Sequence, residues 1–213
     1  MIDICLFDLD GTLTDSRRGI ENCIFQALGH FGIDTAKLDI APFLGPPLRD
    51  SFRAAGIRKS DIEAAVAKYR ELYTAGGMFE NSVFPGIVAV LDALRAADIM
   101  LTVATSKATV YAEKILAHFD IAKYFHLIVG CELDGRRSEK PEIIAHTFDL
   151  LGISSGENII MIGDRRQDIA GAAAAGIPSI AALWGYSTPG EFDNCPPTHF
   201  AKNPADLLDI ILT

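Results

Sequence analysis

The stretch that decides the fold joins a strand to a turn carrying two carboxylates: Phe7-Asp8-Leu9-Asp10-Gly11-Thr12-Leu13-Thr14. The run before it, 2–6, is mostly apolar, which is typical of a strand in a sheet covered on both faces. Gly11 ends this strand, so both aspartates lie at its carboxyl end, where open α/β sheets bind their ligands. In an extended chain Asp8 and Asp10 point to the same side and repel each other unless a cation is present. Mg²⁺, which prefers oxygen ligands, is the expected cation.

Two other structures begin with the same pattern. A calcium-binding EF-hand loop also starts D-x-D-G, but it needs glycine at its sixth position and glutamate at its twelfth. Here those positions are Leu13 and Gly19, which excludes the EF-hand. A surface Asp-Gly turn after a strand is common. Taken alone, the two aspartates do not distinguish such a turn from a metal site.

Composition limits the class of protein. The chain has 213 residues, a formal net charge of -9 and 49% hydrophobic residues, enough for one large domain or a core with an insertion. No stretch is long and apolar enough to span a membrane, and the first residues predict a strand rather than a signal peptide, so we expect a cytoplasmic protein with no membrane association. The acidic balance argues against a nucleic-acid partner. Monomer and homodimer are not distinguished.

The rhythm of apolar residues predicts two parts. Residues 15–82 show helical periodicity and predict a helical domain inserted after the first strand, with Ser60 and Glu63 matching a capping box. Residues 1–14 and 83–213 alternate strands with helices and predict a doubly wound parallel sheet, an α/β Rossmann-like core. After the first strand, strands are expected at 99–104, 127–129, 159–162 and 179–183.

Polar residues follow other predicted strands at the same edge of the sheet. They are Thr105, Ser106 and Lys107 after 99–104, Asp164 and Asp168 after 159–162, and Lys140 at the start of a helix. Each has an ordinary explanation: Thr105 as a helix cap, Lys140 as a surface lysine, Asp168 as a helix N-terminal acid. Because parallel strands end at one edge, the set is better explained by a ligand site.

On these motifs the chain resembles the haloacid dehalogenase superfamily, in its phosphatase branch. The motifs are Asp8-Leu9-Asp10-Gly11-Thr12, Thr105 after a hydrophobic strand, Lys140, and Gly163-Asp164 through Asp168. The helical insertion lies where that family carries its helical cap. Within the superfamily the chain is similar to the phosphoglycolate phosphatase-like and bacterial 5′-nucleotidase-like group. Three segments resemble the nucleotidase-like members more closely: Gly45-Pro46-Pro47-Leu48-Arg49, Ala104-Thr105-Ser106-Lys107, and Gly163-Asp164-Arg165-Arg166 through Asp168.

The resemblance implies a Mg²⁺-dependent phosphomonoesterase acting on a small phosphorylated metabolite, either phosphoglycolate or a nucleoside 5′-monophosphate. Asp8 would be the nucleophile that forms an aspartyl-phosphate. Asp10 would protonate the leaving oxygen and then activate water. The ion would be held by Asp8, the Asp10 carbonyl and Asp164, with Asp168 as a ligand or an anchor behind it.

The resemblance also assigns residues to the substrate. Thr105 and Lys140 would bind the phosphoryl group, with the backbone N–H near Ser106 as a further donor. Arg49 is a candidate contact to the leaving group or an ordinary surface arginine, and Lys107 is a substrate contact or a lysine in the first helical turn. Aromatic residues of the insertion could stack a base, but their helical spacing favours core packing: Phe43, Phe52, Tyr69 and Tyr73.

Three other functions are compatible with parts of the sequence. Residues 152–156 match the G-x-S-x-G pattern of serine hydrolases, but a helix is predicted before them and a strand after, the reverse of a nucleophile elbow. A phosphomutase uses the same core. A non-catalytic regulator that binds a phosphometabolite is the remaining alternative, against which the combination of Asp8, Asp10, Lys140 and Asp164 argues.

Overall fold

The computed structural model describes residues 2–36, 38–39, 43, 48–156 and 158–213. The predicted Gly45-Pro46-Pro47 break lies outside the described residues. The chain divides into two compact units, one formed by Met1–Asp15 and Val83–Thr213, the other by Ser16–Ser82. That the first unit is the catalytic core and the second a cap remains a prediction.

A parallel sheet organises the larger unit. Its strands are β1 (Ile4–Phe7), β2 (Met100–Ala108), β3 (Leu127–Cys131), β4 (Ile159–Gly163), β5 (Ser179–Ala182) and β6 (His199–Ala201). Within the described part of the chain these strands form one sheet in the order β3-β2-β1-β4-β5-β6, and every neighbouring pair is parallel. The predicted doubly wound α/β fold is confirmed.

Helices cover the sheet because its strands are apolar on both faces. They are α4 (Ile87–Ala96), α5 (Thr109–His118), α6 (Lys140–Leu151), α7 (Arg166–Ala175) and α8 (Asp206–Ile211). On the central strand β1, Ile4 and Leu6 belong to a buried cluster with Ile143 and Ile144 of α6. Phe7 points to the opposite face by strand periodicity and meets the ring of Phe125 edge-on, with centroids 6.2 Å apart.

Two strands differ from the sequence prediction. The edge strand β6 was not predicted, because it has three residues and both His199 and Phe200 are exposed, so no apolar pattern marks it. Strand β2 does not end at residue 104 but continues to Ala108 after a shift in its pairing with β3, and α5 begins at Thr109. Lys107 therefore lies in a strand, and its alternative placement in a first helical turn is wrong.

The smaller unit contains α1 (Arg17–His30), α2 (Leu48–Ala54) and α3 (Ile62–Ala75). Its aromatic residues form the core, as their spacing predicted: Phe43, Phe52, Tyr69 and Tyr73 are all buried. The rings of Tyr69 and Tyr73 are stacked, with centroids 5.4 Å apart.

The capping box predicted at Ser60 is wrong. Asp61 occupies the N-cap of α3, because a 3-10 turn over Lys59–Asp61 precedes the helix. The Ser60 hydroxyl donates to Asp61, and the Glu63 carboxylate binds Arg49 instead of the Ser60 backbone.

No helix in the described residues is long and apolar enough to cross a membrane. Within the described residues the four cysteines form no disulfide, and Cys5 and Cys23 are buried.

Removing a side chain from β1 tests the position of this core. Leu6 is 0% exposed, so we expect Leu6→Ala to lower the free energy of unfolding of the larger unit by about 2–5 kcal/mol. Urea denaturation measures the change. The matched control is Leu150→Ala on α6, whose residue is 54% exposed and should cost no more than about 0.5 kcal/mol. Equal losses in the two variants would contradict the placement of β1 in the core.

Candidate active site

The predicted site residues of the larger unit follow strands that are neighbours in the sheet. Asp8 comes directly after β1 and Asp164 directly after β4, and these strands pair along their length. Lys140 is the first residue of α6, and Pro141 after it suits the first helical turn, where no N–H partner is needed. The sheet edge therefore brings together side chains from distant parts of the sequence.

One buried ammonium connects three acceptors. Lys140 Nζ lies 2.8 Å from Asp8 Oδ1 and 2.7 Å from Asp168 Oδ1, and it donates to the Ala104 carbonyl at 2.9 Å. Burial alone would lower the pKa of Lys140, but the Asp168 and Asp8 carboxylates outweigh burial and raise the pKa above its usual value. The lysine is a buried cation with all three N–H bonds engaged, and its surface-lysine alternative is wrong.

Three buried carboxylates cluster around this lysine. Asp8, Asp164 and Asp168 each offer one oxygen, and these oxygens lie within 4.8 Å of one another. Asp164 accepts hydrogen bonds from the Thr12 hydroxyl at 3.1 Å and from the Tyr186 N–H at 2.7 Å, both neutral donors. Burial and then the charges of Asp168 and Asp8 raise the pKa of Asp164 well above its usual range.

The charge of this cluster suits a divalent cation. Burial raises the pKa of Asp168 even though the Lys140 ammonium opposes the rise. The cluster has three carboxylates, of which Asp8 and Asp168 contact the Lys140 ammonium. The excess of negative charge in a buried place is costly without a further cation. Hard carboxylate oxygens are the ligands that Mg²⁺ prefers. The residues present fit such an ion.

Gly11 is required beside this cluster. Its φ is +82°, and a Cβ there would lie 2.2 Å from Asp164 Oδ2. A side chain would strain the turn and displace a carboxylate of the cluster. The glycine of the deciding stretch therefore serves the site as well as the end of the strand.

Asp10 occupies a different environment from Asp8. Among the described residues the carboxylate cluster does not include the Asp10 side chain. Asp10 Oδ2 instead lies 2.8 Å from Lys107 Nζ. Its contribution to metal binding through the carbonyl stays a prediction.

Thr105 is 1% exposed, and its hydroxyl accepts the Lys107 N–H at 3.3 Å. It caps no helix, since α5 begins only at Thr109.

The remaining predicted substrate residues are less constrained. Ser106 is exposed at the same end of β2 as Thr105. Arg49 belongs to the smaller unit, where its guanidinium forms a two-point ion pair with Glu63 at 2.7 and 2.9 Å. Its contact with substrate stays a prediction.

The segment after β5 contains site residues that sequence reasoning missed. Trp184 donates its indole N–H to the Thr12 carbonyl at 3.0 Å, and Tyr186 donates its hydroxyl to Asp15 at 2.9 Å in addition to its backbone bond with Asp164. This segment thus ties the loops after β1 and β4 together. The signal was present, because polar aromatic residues follow a predicted strand at the edge where the other site residues gather.

The fold is a parallel α/β sheet with a buried carboxylate cluster after two of its strands. Residues 5–182 match the haloacid dehalogenase-like hydrolase family, and the chain belongs to it. A haloacid dehalogenase-like hydrolase from Streptococcus pneumoniae has the same fold, with a TM-score of 0.90 and 32% identity over 98% of both chains.

Several named enzymes are similar to this chain over most of its length. The chain is 40% identical to a 5′-nucleotidase from Pseudomonas aeruginosa over 97% of its own length and 94% of the relative's. A phosphoglycolate phosphatase from Aquifex aeolicus is 28% identical, over 98% and 96% of the two lengths. The tyrosine-protein kinase PtkA of Mycobacterium tuberculosis is 45% identical over 86% of this chain, which spans 62% of that protein. The chain is therefore a member of the haloacid dehalogenase-like hydrolase family whose named relatives include phosphatases as well as a kinase.

Metal binding should depend on pH. In the metal-free protein the pKa values of Asp164 and Asp168 are raised above their usual values. The two carboxyl groups therefore stabilise the fold at low pH, where they are protonated. This stabilisation is lost as the pH rises through their pKa values in the folded protein. A cation replaces those protons. We expect the rise in Tm caused by Mg²⁺ to be larger at about pH 8 than at about pH 5.

Thermal unfolding with Mg²⁺ and with chelator, at both pH values, measures this difference. Asp164→Asn is the matched variant and should lose most of the Mg²⁺-induced rise. An equal rise at the two pH values, or an undiminished rise in Asp164→Asn, would contradict the assignment of the cluster to metal.

Proposed function

We propose that the protein is a Mg²⁺-dependent phosphomonoesterase that hydrolyses a small phosphate ester through an aspartyl-phosphate on Asp8. The observation that carries the proposal is the buried contact between Lys140 and Asp8 at 2.8 Å, inside a carboxylate cluster that fits a divalent cation. Mg²⁺ bound by Asp8, Asp164, Asp168 and the Asp10 carbonyl would offset the repulsion between a carboxylate and a phosphate dianion.

In the first half of the reaction Asp8 attacks phosphorus. Lys140 donates a charge-assisted hydrogen bond to Asp8 Oδ1, and this bond holds the carboxylate in one orientation for attack. As the new bond between an Asp8 oxygen and phosphorus forms, the bond from phosphorus to the ester oxygen breaks. Asp10, in its protonated form, gives its proton to that leaving oxygen.

In the second half water replaces Asp8. The Asp10 carboxylate takes a proton from water as the water oxygen attacks phosphorus, and the bond to Asp8 breaks. Inorganic phosphate leaves and the Asp8 carboxylate is restored. Thr105 binds the phosphoryl oxygens through both halves, with the backbone N–H near Ser106 as a further donor. Lys140 stabilises their charge by its own, while its three N–H bonds stay on Asp8, Asp168 and the Ala104 carbonyl.

A nucleoside 5′-monophosphate is the preferred substrate in this proposal. The 5′-nucleotidase relative supports it, since that protein is 40% identical and matches almost end to end, whereas the phosphoglycolate phosphatase is 28% identical. The helical unit would act as the cap that selects the leaving group, with Arg49 as its candidate contact.

Phosphoryl transfer to a protein tyrosine is the second candidate. The 45% identity to PtkA supports it, although this chain spans only 62% of that protein's length. An aspartyl-phosphate serves either reaction. The donor changes from a phosphate monoester to ATP, which leaves as ADP, and the acceptor changes from water to a phenol oxygen, which gives up its proton. Incubation with MgATP and a tyrosine-containing protein, followed by detection of phosphotyrosine, tests it directly.

The decisive experiment for the proposal is phosphate release from a panel of esters, with Mg²⁺ and with excess chelator. The panel includes purine and pyrimidine nucleoside monophosphates, phosphoglycolate and sugar phosphates. Release that requires Mg²⁺ and is fastest for a nucleotide supports the proposal. A preference for phosphoglycolate would overturn the substrate, and no release from any ester would favour a phosphomutase or a binding protein.

Asp8→Asn tests the nucleophile. The amide is a poor nucleophile but nearly the same shape, so we expect turnover to disappear while circular dichroism and Tm show a folded protein. Turnover within roughly tenfold of the wild type, a loss of only about 1.4 kcal/mol in transition-state stabilisation, would remove Asp8 from the mechanism.

A further inference from the structure

The two carboxylate oxygens of Asp10 have different surroundings. Oδ2 lies 2.8 Å from Lys107 Nζ. Oδ1 is buried and has no hydrogen-bond partner among the residues that the structure describes. A buried oxygen without a partner is costly. Among the described residues the contact of Oδ2 with Lys107 is therefore the one that holds this carboxylate.

The side chain of Lys107 is almost completely buried. Its side chain is 7% exposed, although lysine is rarely buried without a reason. It reaches this position because β2 continues beyond Ala104 after the shift in its pairing with β3. Had β2 ended at residue 104, as the sequence predicted, Lys107 would have begun the next helix.

Gly130 of β3 gives the extended part of β2 the room it needs. A Cβ on Gly130 would lie 2.1 Å from the Lys107 carbonyl oxygen and 2.8 Å from the Thr109 nitrogen. The Gly130 N–H donates to the Thr109 hydroxyl at 3.0 Å, and the Thr105 hydroxyl accepts the Lys107 N–H at 3.3 Å. The backbone of Lys107 is therefore held on both sides.

We propose that Lys107 is a positioning residue for Asp10. Its ammonium holds Oδ2, which fixes the plane of the carboxylate that gives its proton to the ester oxygen and then takes one from water. The inference rests on the proposed function, since it assumes that Asp10 is the acid and base. It assigns Lys107 to Asp10 instead of to a contact with the substrate.

A positioning role and a substrate contact predict different kinetics. If Lys107 acts through Asp10, its loss matters only where the leaving oxygen needs a proton. An alkyl phosphate needs one, whereas p-nitrophenyl phosphate has a leaving group that departs as a stable anion. If Lys107 binds the substrate's phosphate, its loss weakens both esters alike.

The test compares kcat/KM for an alkyl phosphate and p-nitrophenyl phosphate in Lys107→Met, because kcat/KM reports the first chemical step. We expect a loss of about 10–100-fold for the alkyl ester and less than about threefold for the nitrophenyl ester. Lys107→Arg, which keeps the charge, should recover part of the loss. Lys114→Met, an exposed lysine on the neighbouring α5, is the matched control and should match the wild type.

Asp10→Asn, alone and combined with Lys107→Met, completes a double-mutant cycle. Because Lys107 acts through Asp10, the double variant should be no slower on the alkyl ester than Asp10→Asn. Additive losses, or an equal rise in KM for both esters in Lys107→Met, would overturn the proposal. If Lys107→Met does not fold, as judged by Tm, Lys107→Gln takes its place in the same cycle.

The controls separate this inference from the proposed function. A wild type without Mg²⁺-dependent phosphate release would overturn the proposed function itself. A wild type that is active while Asp10→Asn loses equally on the two esters would remove the acid role of Asp10, and the positioning role with it. An active wild type with a leaving-group effect in Asp10→Asn, combined with no such effect in Lys107→Met or with additive losses in the double variant, is a failure of the Lys107 inference alone.

Discussion

The contact of one buried ammonium with two buried carboxylates is the interaction on which the site depends. Lys140 holds Asp8 after β1 and Asp168 on α7, and it also donates to the Ala104 carbonyl of β2. One side chain thereby connects elements far apart in the sequence. Removing one partner of a buried ion pair costs about 3–5 kcal/mol, because the other charge is left uncompensated. Here two carboxylates would be left.

The single positive charge of Lys140 neutralises only part of the negative charge of the three carboxylates in the cluster. A site built for stability alone would pair each buried charge. The remaining negative charge on Asp8, Asp164 and Asp168 fits a positively charged ligand such as a divalent cation. A second pair, Lys107 with Asp10, keeps another carboxylate apart from this cluster, so two aspartates separated by one residue occupy different electrostatic surroundings.

The sequence predicted the sheet and the residues that gather at its edge, because both depend on local patterns: apolar runs, and polar residues directly after them. The edge strand β6 was beyond this reasoning, since its exposed His199 and Phe200 carry no pattern and its pairing with β5 supplies the order. The end of β2 was misplaced for a similar reason. Its continuation to Ala108 depends on the absence of a side chain at Gly130, some twenty residues away.

Contacts between loops were the least accessible to the sequence. Trp184 and Tyr186 follow a strand that was predicted, but their bonds to Thr12, Asp15 and Asp164 need the three-dimensional arrangement of β1, β4 and β5. The capping box at Ser60 failed in the opposite way, because a matching pattern was present while the Glu63 carboxylate had a stronger partner in Arg49. Charge-assisted bonds of this kind outcompete a neutral backbone donor.

The most direct test of the central claim is to trap the covalent intermediate. Asp10→Asn should slow its hydrolysis, so this variant is mixed with Mg²⁺ and p-nitrophenyl phosphate, whose leaving group needs no proton from Asp10. The mixture is quenched and reduced with borohydride, which converts an acyl phosphate to an alcohol. Mass spectrometry of the peptide containing Asp8 should then show homoserine at that position, dependent on the ester and on Mg²⁺. Phosphate release by the wild type together with an unmodified Asp8 at every quench time would contradict the account, since water would then attack the ester directly.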